Sequence, residues 1–199
     1  MLSNNKIIIP TSYFGNIFYY KIIYDNKFEI EINDFFEKQT IRNRCEILGP
    51  NKVLKLTVPC KKEKTQIKNI KISYSEDWRK IHSKSIEYSY RSSSYFEYYE
   101  KKILDVFNKK YTFLTDLNKD IHEVIFECLK IKKETNYSSK YEEYKANNDF
   151  RKTDFLKKKK FHKYNQVFSN NKFHSNLCIL DLIFNLGPDA DKYLKSIKL

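Results

Sequence analysis

The sequence predicts an α/β fold: a mixed sheet from an N-terminal βα unit and a β-hairpin at about residues 39–60, packed with a helical C-terminal half. Between Lys6 and Ile32 an apolar strand, a helical segment and an alternating strand follow one another in βαβ order. Gly49-Pro50-Asn51 then separates two extended stretches, as a tight turn does in a hairpin. Beyond Ser75 the pattern turns helical. An α+β arrangement is the alternative that the same elements allow.

Lys6 to Ile9 reads as a short buried strand that ends at Pro10. A turn containing Gly15 leads into a helix from about Ile17 to Tyr24, which Asp25-Asn26 breaks. Lys27 to Ile32 alternates as a half-buried strand should. Gln39 to Leu48 and Val53 to Cys60 are the two hairpin arms, and Ile67 to Ser73 is a further strand with Ile70 and Ile72 on one face. Ser75 is placed to cap a helix, with Glu76 and Asp77 in its first turn. Trp78, Ile81, His82 and Ser85 share one face of it. Ser94 and Glu97 have capping-box spacing at the start of a second helix, which runs to about Lys109. A third, from Thr115 or Asp116 to Ile131, carries the core-facing stripe Leu117, Ile121, Val124 and Cys128. Residues 132–165 read as a polar, loop-rich excursion with one short strand near Thr135 to Tyr137. Ser175 is placed to cap an apolar helix from Asn176 to Leu186, Gly187 suits its left-handed end, and Pro188 opens a short last helix. At 199 residues the expectation is a single domain over 1–199.

Composition excludes several classes. There is no apolar run near the ~20 residues that span a bilayer, and Met1 to Lys6 does not read as a signal peptide, so a cytoplasmic protein is expected. Cys45, Cys60, Cys128 and Cys178 are scattered, with neither C-x-x-C nor zinc-finger spacing; free thiols are expected, and no metal. The net charge of +13 invites a nucleic-acid partner. Yet Lys, Asn, Ile, Tyr and Phe, all with A/T-rich codons, dominate the chain, while alanine occurs only twice. Biased composition therefore accounts for the charge, and no specific nucleic-acid partner is expected. The run Lys157 to Lys160 reads as a solvated loop.

Only five of the 38 basic residues are arginine, and two of them flank Asn43 as Arg42-Asn43-Arg44. A chain that uses lysine for bare charge spends arginine where a planar fork matters, on a carboxylate or phosphate. On a strand, i and i+2 would share one face. The plainer reading is an ion-pair network between sheet and helix. Trp78, Arg79 and His82 cluster on a helix, and His82 could act as acid or base beside an anion, or pack as a core histidine. Asp181 and Asn185 lie one turn apart in the apolar stretch LCILDLIFNLG. A carboxylate there needs a partner, with an arginine as the simplest choice. Tyr13 follows the first strand, where open α/β sheets place ligands.

Tyr13-Phe14, Gln39-Thr40-Ile41-Arg42-Asn43-Arg44, Leu56-Thr57-Val58-Pro59, Trp78 with His82, Tyr95-Phe96 and the ending Leu180 to Pro188 together resemble the WbqC-like protein family, over about residues 7–194. The resemblance implies a setting in surface polysaccharide (O-antigen) synthesis, with glycine transfer suggested for some members. It carries over no established catalytic residues. The Gln-Pro-x-Tyr opening of longer members is Pro10-Thr11-Ser12-Tyr13 here, and their Ser-Gly-Pro segment has no counterpart, which puts a donor site built from that segment in doubt.

A transferase-type enzyme acting on an anionic small molecule or a sugar-linked substrate is the leading expectation. In it His82 and Asp181 are catalytic, and Arg42, Asn43, Arg44, Tyr13, Trp78, Arg79 and Asn185 bind substrate. The cofactor is unknown. A non-catalytic ligand-binding or assembly protein is the alternative, and nucleic-acid binding a distant third.

Overall fold

The computed structural model describes residues 6–61, 63–168 and 172–199. Strand β1 (Ile7–Pro10), helix α1 (Ile17–Asp25) and strand β2 (Phe28–Glu31) form the expected βαβ opening, with β1 and β2 parallel in the register Ile7 to Phe28. All four residues of β1 are buried, as a strand covered on both faces requires. The hairpin is strand β3 (Arg44–Leu48) against strand β4 (Val53–Thr57), antiparallel, and it makes a two-stranded sheet of its own. Helices α2 (Trp78–Tyr90), α3 (Phe96–Leu104) and α4 (Leu114–Cys128) follow. Strand β5 (Asn136–Tyr137) then adds to the free edge of β2, in parallel, to complete the order β1-β2-β5. Helices α5 (Ile179–Leu186) and α6 (Ala190–Ser196) close the chain. The class is α/β, with parallel and antiparallel pairing in separate sheets.

Several boundaries differ from the expectation, each for a tertiary reason. The extended arm expected from Gln39 is a turn as far as Asn43: Gln39 has φ +60°, and the Arg44 amide donates to the Thr40 carbonyl at 3.0 Å. The strand expected over Ile67 to Ser73 is a 3-10 turn at Ile67–Asn69 followed by single bridges from Lys71 to Phe113 and from Ile72 to Cys60. Ile70 and Ile72 are both buried, so the apolar pattern reports burial there rather than strand length. Helix α2 starts at Trp78, and Ser75 does not cap it; its buried face is Trp78, His82, Ile86 and Ser89, while Ile81 is 55% exposed. The Ser94 capping box does not form either. The Tyr95 amide donates to the Phe184 carbonyl of α5 at 3.0 Å, so contact between helices fixes the start of α3. Helix α5 begins three residues later than expected because Leu177 and Cys178 are held in an extended rung. The Cys178 amide reaches the Glu46 carbonyl of β3, and the Ile17 and Ile179 amides tie the rung to the turn before α1. At its other end Gly187 has φ +52°, and a Cβ there would lie 2.5 Å from the Tyr95 ring.

The segment 132–165 wraps the open edges of the parallel sheet. Lys133 donates to the carbonyls of Ile23, Tyr24 and Asn26, neutralising the negative end of α1. Beyond β5, Asp149 bridges to Ile8 on the far side of β1. Arg151 follows with a two-pronged grip on Asp149, at 2.9 and 2.6 Å, and a third contact to buried Glu31 at 3.1 Å. A guanidinium fork closed on a carboxylate thus occurs at Arg151. The core is one apolar cluster reaching from β1 and α1 through β3 to α2, α3, α4, α5 and α6.

Candidate functional site

The Arg-Asn-Arg block divides among three tasks. Arg42 is 3% exposed and turns inward to Glu37 at 3.2 Å, to the Arg151 carbonyl at 3.0 Å and towards Asp34 at 3.8 Å. The Asn43 side chain donates to the Val58 carbonyl and accepts from the Gln39 amide, pinning the turn to the end of β4. Arg44 donates through Nε to Thr57 Oγ1 at 2.9 Å, across the hairpin. Its neighbours Phe14, Cys45 and Cys178 enclose a void with no room for a water molecule. The two arginines do not share a face, because only Arg44 is on the strand.

His82 is placed with Tyr13 and Trp78. The Tyr13 hydroxyl lies 2.7 Å from His82 Nδ1, and the Trp78 and Phe107 rings stand edge-on to the imidazole. Burial pushes the His82 pKa down to about 4 and holds the Tyr13 phenol well above its usual value. Both are neutral at pH 7, and the Tyr13 hydroxyl and His82 Nδ1 share one hydrogen bond. Tyr13 is itself fully buried and bonded by its amide to the Ile41 carbonyl, so the loop after β1 is sealed. Arg79 points elsewhere, donating to the carbonyls of Phe107 and Lys109 over the Tyr74 ring.

Asp181 has a different setting. It is 1% exposed, and it accepts from the Tyr164 hydroxyl and from Gln166 Nε2 at 2.7 Å. Among the described residues no arginine pairs with it. Burial pushes its carboxyl up to about 6, against the downward pull of Tyr164, Gln166 and Tyr90. Asn185, one turn on, donates to the Asp181 carbonyl at 2.7 Å. Directly outside these groups lies an open cleft of about 510 Å³ lined by Ser92, Ser93, Ser94, Tyr164, Gln166 and Asn185, with Asn165, Val167 and Leu186 at its margins. Three elements build it: the turn after α2, the end of α5 and the segment 164–167. Apart from Val167 and Leu186 the lining is hydroxyl and amide, and it carries no charged side chain.

The structure therefore brings Asn185 to the lining of one cleft with Asp181 buried behind Tyr164 and Gln166, Tyr13, Trp78 and His82 to an interior aromatic cluster, and Arg42, Asn43, Arg44 and Arg79 to backbone and ion-pair contacts. Tyr164, Gln166 and the serine run were missed by sequence reasoning. The available signal was the need of Asp181 for donors, together with three consecutive serines ahead of a helix. Among the described residues no group of His, Cys, Asp and Glu could hold a metal ion, and the four cysteines are free thiols. No helix among them is long and apolar enough to cross a membrane.

No curated protein and no solved structure matches the chain. The model of the WbqC-like protein family matches residues 13–158, nearly three quarters of the length, taking in the Arg-Asn-Arg turn, the hairpin and the aromatic cluster around His82. On that match the chain belongs to the WbqC-like protein family.

Proposed function

We propose that the protein is a transferase-type enzyme of surface polysaccharide or envelope biosynthesis, that its acceptor is a hydroxyl-rich, sugar-linked molecule, and that the cleft over Asp181 is its active site. The observation that carries this reading is a fully buried carboxyl, pushed up to about 6, held by Tyr164 and Gln166, two side chains that line an open, uncharged polar cleft. A carboxylate in that range is ionised at pH 7 yet basic enough to take a proton. Serine hydroxyls and the amides of Asn165 and Asn185 offer donors and acceptors to sugar hydroxyls.

The acceptor O–H or N–H gives its proton to the Tyr164 oxygen as the Tyr164 proton passes to Asp181. The freed lone pair attacks the donor's electrophilic centre, and the donor's leaving group departs with its electron pair. Gln166 keeps the carboxylate aimed at Tyr164, and Asn185 fixes the turn of α5 that carries it. Arg42, Asn43 and Arg44 then serve as framework, and His82 as the polar member of the core.

A panel of activated sugar and aminoacyl donors with glycan acceptors tests this. Turnover should rise with pH through a midpoint near 6, and Asp181→Asn and Tyr164→Phe should each lower kcat by about 100-fold or more while the acceptor still binds. Full turnover by Asp181→Asn would end the assignment. The burial of Asp181 favours one alternative, a non-catalytic sugar-binding protein. That reading holds if the acceptor binds in the cleft and no donor is ever consumed.

A further inference from the structure

Lys157 to Lys160 is an exposed loop, as its charge predicts, and its backbone is pinned. It forms one wall of a groove of about 460 Å³ whose other wall is Lys172, Phe173, His174 and Ser175, with Lys55 of the hairpin at one end. Both walls are fixed to the core. The buried Asn176 side chain donates to the carbonyls of Phe155 and Lys157, at 3.2 and 3.1 Å. The Phe161 amide donates to Ser175 Oγ at 3.0 Å, which ties the walls together. Lys159 lies over the Phe18 ring, 3.7 Å from its centre.

The charges in this groove are unbalanced. Elsewhere among the described residues eight lysines, Lys6, Lys21, Lys102, Lys109, Lys140, Lys152, Lys192 and Lys195, lie within 4 Å of a carboxylate and many others do not. What sets the groove apart is that it gathers six lysines against one carboxylate. Among the described residues Lys157, Lys158, Lys160 and Lys172 have no acidic partner, and Glu46, 3.8 Å from Lys55, is the one carboxylate in the lining. Burial lowers the His174 pKa, and the nearby charges of Lys172 and Lys158 push it the same way. Like charges gathered on two braced walls repel one another unless an anion is shared between them.

We propose that this groove is a binding site for a diphosphate group, free or carried on a small organic molecule. Ammonium groups are compact point charges with three donors each, suited to phosphate oxygens converging from several directions. A diphosphate carries several negative charges spread over two phosphorus centres and so offsets most of the charge of the four unpaired lysines, which a single carboxylate does not. A concave space of this volume also holds one small ligand, whereas a polynucleotide would need a basic track running beyond it. The assignment is independent of the role given to Asp181.

Calorimetric titration of the full chain with inorganic diphosphate tests it, at low and at physiological salt. One diphosphate per chain should bind, and Lys158→Gln/Lys160→Gln/Lys172→Gln should weaken binding by about tenfold or more. The equally charged change Lys84→Gln/Lys101→Gln/Lys119→Gln, at exposed lysines outside the groove, should alter it by less than about twofold. Thermal melts of both triple variants confirm folding, and arginine at the three groove positions should retain binding should the glutamine variant not fold. Asp181→Asn should bind diphosphate as the parent does. Equal losses in both glutamine sets, or no binding by the parent chain, would overturn the site. So would a single-stranded oligonucleotide that displaces diphosphate and depends on both lysine sets alike, since that marks a diffuse polyanion surface.

Discussion

At residue scale, Asp181 and His82 are both buried ionisable groups, and they carry opposite pH signatures. The folded Asp181 carboxyl at about 6 lies above the ordinary 3.8, so between those values the folded chain keeps a proton that the unfolded chain has released. Its contribution to stability is therefore greatest below pH 4 and falls as pH rises through 6, by about 3 kcal/mol in all. For His82 the folded value of about 4 lies below 6.5, so its contribution is complete above 6.5 and is lost as pH falls towards 4. Other carboxylates hide the first effect in the parent protein, because Glu29, Glu37, Asp120 and Asp149 are all shifted downwards by their partners. The difference between parent and Asp181→Asn isolates it. Urea unfolding should show that difference moving in the parent's favour by about 2 kcal/mol between pH 7 and pH 4. A difference that stays flat with pH would mean that the carboxyl titrates normally.

At the scale of elements, α4 shows how an apolar stripe can hide a polar fault. Leu117, Ile121 and Cys128 face the core as their spacing predicts, and His122 is buried beside them. Its ring lies among Tyr20, Phe28 and Phe126, and neither of its nitrogens has a hydrogen-bond partner among the described residues. Burial drives its pKa down to about 3. Leaving such groups unpaired costs about 1–3 kcal/mol, so His122→Leu should raise stability by that order at pH 7. The gain should grow by about a further 3 kcal/mol at pH 4, since the unfolded histidine takes up a proton that the folded one refuses. Denaturation midpoints at the two pH values check both figures. Helix and strand types were legible from periodicity in these elements, as α1, β2, α4 and the hairpin show. Their ends were less so. Ser75 and Ser94 have the right chemistry for caps, but the Tyr95 amide finds the Phe184 carbonyl instead, a contact that exists only once α3 and α5 have met.

For the whole molecule, the polar segment after α4 closes the parallel sheet, and Arg151 is its anchor. Arg151 and Glu31 are both nearly inaccessible to solvent, so removing Arg151 leaves the buried Glu31 carboxylate without its cation, held among the described residues only by the Asn33 amide and the Ser138 hydroxyl. Arg151→Met should destabilise the fold by about 3–5 kcal/mol and speed proteolytic cleavage within 138–150. Unchanged cleavage there would show that β5 and the Asp149 bridge hold the segment without it.

The sequence by itself determined the βαβ opening, the hairpin turn, the glycine-ended α5 and the family. Each rests on local spacing or on motifs contiguous along the chain. It also marked Asp181 as a carboxylate in need of donors. Only the tertiary structure decided which donors those are. Tyr164 and Gln166 lie 17 and 15 positions away, in a stretch with no periodicity to read. Arginine spacing likewise carried no information on whether Arg42 faces a ligand or Glu37, because a turn at Gln39–Asn43 rotates it off the strand that Arg44 begins. Local patterns encode backbone periods, whereas the partner of a buried charge is fixed by which distant segments pack beside it.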